Sequence, residues 1–127
     1  MRNYIFLFVT VITFYSCSDM VEMKEADLKK YPWLTSFLTI EIKDFEGAHN
    51  VDIGAIRFSF KAPLESGNDF FTKIDSIAKR ENWTLVGSSV ISREYSKMLN
   101  QFKTDIEQTF VKIEIDTTEH RIRFNVE

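Results

Sequence analysis

The chain has 127 residues, 44% hydrophobic and 28% charged, with 12 Phe, one Cys, and 16 basic against 19 acidic side chains. The length suits one domain, and so many aromatics argue against a disordered chain. A formal charge of −3 gives no basic footprint for a nucleic acid, one cysteine excludes an internal disulfide, and four Gly leave little for a glycine-rich phosphate cradle.

The first residues read as an address. Arg2 and Asn3 form a short basic start, Tyr4 to Tyr15 an almost unbroken apolar run, and Ser16, Cys17 and Ser18 a small-residue end. This is the plan of a secretory signal, with a positive region, an apolar region and a cleavage zone. The run is shorter than the roughly 20 residues that a spanning helix needs, and acidic Asp19, Glu22 and Glu25 follow it in place of a basic stop.

The only cysteine lies directly after the apolar run, behind Phe14-Tyr15-Ser16. The segment resembles a bacterial lipoprotein signal of the Bacteroidota kind. That resemblance implies a diacylglycerol thioether on Cys17, cleavage between Ser16 and Cys17, and acylation, for instance with palmitate, of the new amino group. Ser16 matches the small residue before the cysteine, whereas Phe14 and Tyr15 depart from the usual aliphatic and small residues. Asp19 and Glu22 stand where acidic residues favour export to the cell surface. Each buried methylene contributes about 0.8 kcal/mol, so two or three acyl chains hold persistently where one holds marginally.

Removing residues 1–16 takes away one basic side chain, Arg2, and leaves 15 against 19, a side-chain charge of −4. Residues 17–30 read as a charged, lipidated tether, and 31–127 as a single domain. Pro32 biases Tyr31 toward an extended conformation. Leu38, Ile40 and Ile42 alternate with Thr39, Glu41 and Lys43 as in a half-buried strand, a loop carries Gly47, His49, Asn50 and Asp52, and Ile56, Phe58 and Phe60 predict a second strand pairing antiparallel with the first.

After the turn cluster Glu65-Ser66-Gly67-Asn68, the stripe Phe70, Phe71, Ile74, Ile77 and Ala78 predicts a helix, capped by Asn68 or Asp69 and stopped at Asn82. Trp83 to Ile91 reads as β-structure with a bulge or bend near Gly87. Tyr95, Met98, Leu99, Phe102 and Ile106 fit a second helix. Val111, Ile113 and Ile115, then Ile122, Phe124 and Val126, form a hairpin. Pairing Asp116 with Arg121 sets Glu114 opposite Arg123, whereas a two-residue shift sets Lys112 there. Opposite charges favour the first register by about 0.2–1 kcal/mol per pair, with a loop at Thr117–His120. The expected fold class is α+β, a mainly antiparallel sheet of about five strands packed against one or two helices, with strand order open.

Signals for chemistry are sparse. No serine sits in a Gly-x-Ser-x-Gly elbow, and His49 and His120 are far apart in sequence without metal spacing, so neither a catalytic residue nor a metal or other cofactor is assigned. Arg57, Lys61, Lys112, Arg121 and Arg123 alternate along the predicted strands and form a possible binding face. Asn82-Trp83-Thr84 fits a eukaryotic N-glycosylation pattern that a bacterial envelope does not use, while Asp116-Thr117-Thr118 resembles the O-glycosylation sequons of Bacteroidota and nominates Thr117. Asp75-Ser76-Ile77 matches the same sequon from within a helix.

The expected function is a lipid-anchored cell-envelope protein acting as a non-enzymatic binding module, in the manner of an immunity or inhibitor protein or an accessory component of an envelope assembly. Its partners would be the membrane, through the N-terminal lipid, and a protein or envelope polymer. Its location would be the outer membrane, on the periplasmic or surface face. The competing expectation is a carboxylate-dependent envelope hydrolase whose site only the fold brings together.

Overall fold

The computed structural model describes residues 20–38, 40–50, 54–62, 67–99 and 107–127. The expected signal peptide, 1–16, and Cys17 lie outside these. Among the described residues seven strands form one antiparallel sheet, β1 (Val21–Met23), β2 (Lys43–Asn50), β3 (Ala55–Lys61), β4 (Thr84–Ser88), β5 (Ser92–Leu99), β6 (Glu107–Asp116) and β7 (Arg121–Val126), in the order β1-β2-β3-β7-β6-β5-β4. One face is covered by a short helix α1 (Pro32–Thr35), the 3-10 turn Glu25–Lys30 before it, and the longer helix α2 (Gly67–Arg80). The architecture is mostly sheet, with seven strands where about five were expected.

Three expectations are corrected. Residues expected within the tether 17–30 belong to the folded unit from Val21 onward, because β1 pairs with β2 and Met23 and Leu28 are buried. The first long strand runs from Lys43 to Asn50, and the Gly47-to-Asn50 stretch expected as a loop lies inside it. The helix expected at Tyr95 is strand β5 over Ser92–Leu99, while its later part, 100–106, lies outside the described residues.

The stripe from Phe70 to Ala78 is helical as expected, but α2 already begins at Gly67, so Asn68 and Asp69 lie within its first turn and not at its cap; its end explains itself. Asn82 takes φ 64°, and the amides of Asn82 and Trp83 donate to the carbonyls of Lys79 and Ala78. These paired bonds satisfy the last carbonyls of the helix in a Schellman motif, with Asn in the left-handed position. The C-terminal hairpin has the expected register, Asp116 opposite Arg121 and Glu114 opposite Arg123.

The core lies between the sheet and its helical cover. Segment 31–37 crosses the sheet along one row of registered residues, since Tyr31 meets His49 on β2 while Phe37 stacks on Tyr95 of β5 at 5.8 Å. Four strand spacings separate those ends, about 19 Å. An adjoining row registers Gly47, Phe58 and Phe124, and the Phe45 ring lies over Gly47, with the Phe45–Phe58 and Phe58–Phe124 ring centroids 5.5 Å and 4.7 Å apart. Gly47 makes this possible, because a Cβ there would lie 2.9 Å from the Phe58 Cβ and 3.1 Å from the Phe45 ring.

A candidate binding face on the open side of the sheet

The face turned away from the helices carries the five basic residues nominated by sequence. One row runs Ala48, Arg57, Asn125, Lys112, Glu94, and the next runs Glu46, Ser59, Arg123, Glu114, Ser92. Lys61, Arg121 and Asp116 form a third. Strand alternation puts all of them on one side, so the fold brings the nominated residues together, but it gives them different tasks.

Arg121 is only 5% exposed. Its Nε donates to Ser59 Oγ at 3.0 Å, one terminal nitrogen to the carbonyls of Asp44 and Ser59 at 2.7 and 3.1 Å, and the other to the Asp44 carboxylate at 3.4 Å. Asp44 has φ 55° and lies where the β2–β3 register shifts, so Arg121 fastens a bulge. Arg123 is tied to Asp116 at 2.8 Å and Glu119 at 3.4 Å. The Asp116 carboxyl is held below its ordinary value by Arg123 first, and then by the Glu119 and Thr118 amides. Lys61 reaches Asp44 at 3.4 Å, and Lys112 lies 3.8 Å from Glu114.

Arg57 differs from these four. It is exposed on a central strand and makes no ion pair among the described residues. Two shallow concavities meet at its side chain and that of Asn125. One, of about 380 Å³, is lined also by Lys112, Glu94, Phe110 and Glu127, and the other, of about 280 Å³, by Glu46, Ser59 and Arg123. Arg57 and the Asn125 amide can receive a carboxylate or another anionic group while an apolar part rests on Phe110, with Lys112 beside Glu94 and Glu114 on the same face. Asn125 was legible in the hairpin register, which sets it opposite Lys112. Glu94 was hidden by the helical reading of its segment.

The remaining nominated residues stay apart. His49 Nδ1 is 2.7 Å from the Tyr31 hydroxyl, whereas His120 sits in the β6–β7 turn, where its carbonyl accepts from Ala62. Six residues of β3 separate the two sites, about 20 Å. Thr117 is exposed in that turn, while Ser76 on α2 donates to the Thr72 carbonyl. Among the described residues no three His, Cys, Asp or Glu side chains gather to hold a metal, and no helix is long and apolar enough to cross a membrane.

A polar cluster on the helix side escaped the sequence reading. Buried Tyr95 donates its hydroxyl to Asp75 of α2, and Arg93 Nε reaches the same carboxylate at 3.3 Å while its guanidinium lies 4.5 Å from the Phe71 ring centroid. Burial, and then the Asp75 hydrogen bond, push the Tyr95 phenol well above its ordinary range. Lys97 covers the Trp83 ring and donates to the Glu81 carbonyl. These contacts join β5 to α2 and satisfy every cation in the cluster.

Comparison of the chain with protein-family models, curated proteins and solved structures found no match.

Proposed function

We propose that the chain is a lipid-anchored binding module of the bacterial cell envelope that acts without catalysis, as an immunity-like or inhibitor lipoprotein or as an accessory part of an envelope assembly. The observation that carries this reading is Arg57, an exposed cation without an ion pair among the described residues, between two shallow concavities on the open sheet face. A broad face with separated charges suits a macromolecular partner, whereas small-molecule turnover calls for a deep pocket with convergent titratable groups. The partner would be a protein or an envelope polymer with a carboxylate or another anionic group to meet Arg57 and Lys112.

The anchor fits this use. Cys17 lies four residues before Val21, a reach of at most about 14 Å, so a lipid on its sulfur keeps the β1 edge beside the bilayer. Six strand spacings, about 29 Å, separate β1 from β4 across the sheet. Most of the open face therefore has room to stand clear of the headgroups, on the periplasmic or the surface side of the outer membrane. Thr117, at an exposed turn, is proposed as an O-glycan acceptor.

Affinity capture from envelope extracts, with the full chain beside the Arg57→Glu/Lys112→Glu double variant, tests the reading. Recovery of one stoichiometric partner by the parent, lost on charge reversal, is the expected result. Equal recovery by both moves binding off this face, and turnover of a small substrate overturns the binding class. Intact-mass spectrometry of the native chain reads the anchor, and an unmodified Cys17 thiol would remove it.

A further inference from the structure

The two edges of the sheet are built differently. β1 is three residues long and carries Glu22, whereas β4 is hydrogen-bonded, among the described residues, to β5 alone, and no charged residue occurs from Trp83 to Ser92. Sheet edges are ordinarily guarded by shortness, charge or proline, because their unpaired backbone groups accept another strand. β4 has neither charge nor proline, its one irregularity is a register shift between Leu85 and Gly87, and Leu85 and Val86 on it are 51% and 49% exposed.

A groove of about 550 Å³ adjoins β4 on the helix side, between the strand and the C-terminal half of α2. Trp83, Leu85 and Tyr95 give it apolar walls, and Lys79 stands at its rim. Asp75, also in the groove, is already held by Tyr95 and Arg93, whereas exposed Lys79 has no ion pair among the described residues. The groove thus offers an apolar slot beside one free cation.

We propose that β4 and this groove receive an extended polypeptide segment of a partner protein, which adds to the sheet as an eighth strand, sets an apolar side chain against Leu85 and Trp83, and brings a carboxylate to Lys79. In strand addition the main-chain hydrogen bonds supply affinity, and pockets for alternate side chains supply specificity. Inward side chains of an added strand recur every second residue, so the one in register with Leu85 enters the groove. A second copy of this chain fits less well, because its own β4 brings no carboxylate to Lys79. This surface lies across the sheet from Arg57 and stands or falls separately from the open face.

The test uses the isotope-labelled full chain in detergent micelles, titrated with an eight-residue peptide that alternates Thr with Val or Leu and ends in Asp. Two control peptides end in Lys or carry N-methyl groups at alternate amides. The expected result is amide shifts confined to Thr84–Ser88 and the end of α2, with affinity falling about tenfold or more for either control, for Lys79→Glu and for Leu85→Lys, and unchanged for Arg57→Glu. Leu85 is half exposed, so its variant is expected to keep the parent spectrum elsewhere. Equal binding of the N-methylated peptide, shifts outside β4, or no binding in the millimolar range would overturn the proposal. Self-association abolished by Leu85→Lys would overturn it in favour of a second copy.

Discussion

Arg121 closes over the backbone of Asp44, donating to its carbonyl at 2.7 Å and to its carboxylate at 3.4 Å across a register shift in β2. Asp44 is held at φ 55°, a conformation that a non-glycine residue adopts at some cost. The guanidinium offsets that cost by satisfying two carbonyls and a hydroxyl at once, which a lysine ammonium on a flexible stem cannot match in geometry. Arg121→Lys and Arg121→Ala are expected to destabilise the fold by about 2–3 kcal/mol, the loss of charge-assisted bonds to groups then left unpaired. Arg57→Ala, at an exposed position, should stay within about 0.5 kcal/mol. Urea unfolding of the three variants separates the structural arginine from the free one.

Asp116 accepts from Arg123 and from the amides of its own turn, and its carboxyl is held below the ordinary value of 3.8. A depressed folded value means that this stabilisation is present above pH 4 or so and is lost as pH falls through the lower folded value. Asp116→Asn should therefore flatten the acid limb of the stability curve below about pH 4 while leaving the alkaline limb alone. Thermal melts from pH 2 upward, parent against variant, measure it, and parallel acid limbs would contradict it.

How much of this was legible in the sequence depends on what each residue faces. The β6–β7 hairpin could be read in register because Glu114 and Arg123 are half-exposed neighbours whose charges report the pairing. α2 could be read because its apolar stripe is continuous from Phe70 to Ala78. β5 could not, because Arg93 and Lys97 occupy its core-facing positions, where an alternating pattern calls for apolar residues. Their cations reach Phe71 and Trp83. β2 was displaced for another reason: Gly47, Ala48, His49 and Asn50 have weak strand preference, and pairing with β1 on one side and β3 on the other overrides it. Of the binding face, the basic residues were visible, but that Lys61 and Arg121 are tied depends on Asp44, whose bulge no local pattern announces.

A chain starting at Cys17, the proposed processed form, holds two of the four tyrosines, Tyr31 and Tyr95. Both phenols are pushed above the ordinary value near 10, Tyr31 by burial and then the Asp27 charge, Tyr95 by burial and then its bond to Asp75. A raised folded value means that the stability these groups contribute is complete below the unfolded value and is lost as pH rises beyond it. Absorbance titration of the folded chain starting at Cys17 should show its phenolate steps displaced above pH 10, while the urea-unfolded chain titrates near 10. A free titration of either tyrosine near 10 in the folded chain would contradict the burial.

Gly47 and Gly87 form a matched pair. An added Cβ at Gly47 meets Phe58 at 2.9 Å and the Arg57 carbonyl at 3.1 Å, whereas at Gly87 the nearest atom is a Glu94 oxygen at 3.6 Å. Gly47→Ala must spread the Phe45 and Phe58 rings and should cost about 1–3 kcal/mol. Gly87→Ala meets only ordinary contacts and should be neutral or stabilising by about 0.4–1 kcal/mol through the unfolded chain. The difference in urea midpoint between the two variants is the readout.

The last prediction concerns where the domain begins. β1 registers Val21, Glu22 and Met23 against His49, Ala48 and Gly47, and Met23 and Leu28 are 2% and 4% exposed. A chain starting at Tyr31 loses both side chains from the core, at most about 1.5–3 kcal/mol each. It also leaves β2 as a new edge, with His49 and Asn50 at its end. Domains of this size are stable by only about 5–15 kcal/mol, so the truncated chain should melt far below one starting at Ser18 and self-associate through β2. Calorimetry and sedimentation of the two chains decide the matter, and equal melting temperatures would mean that β1 and the 3-10 turn contribute nothing to the fold.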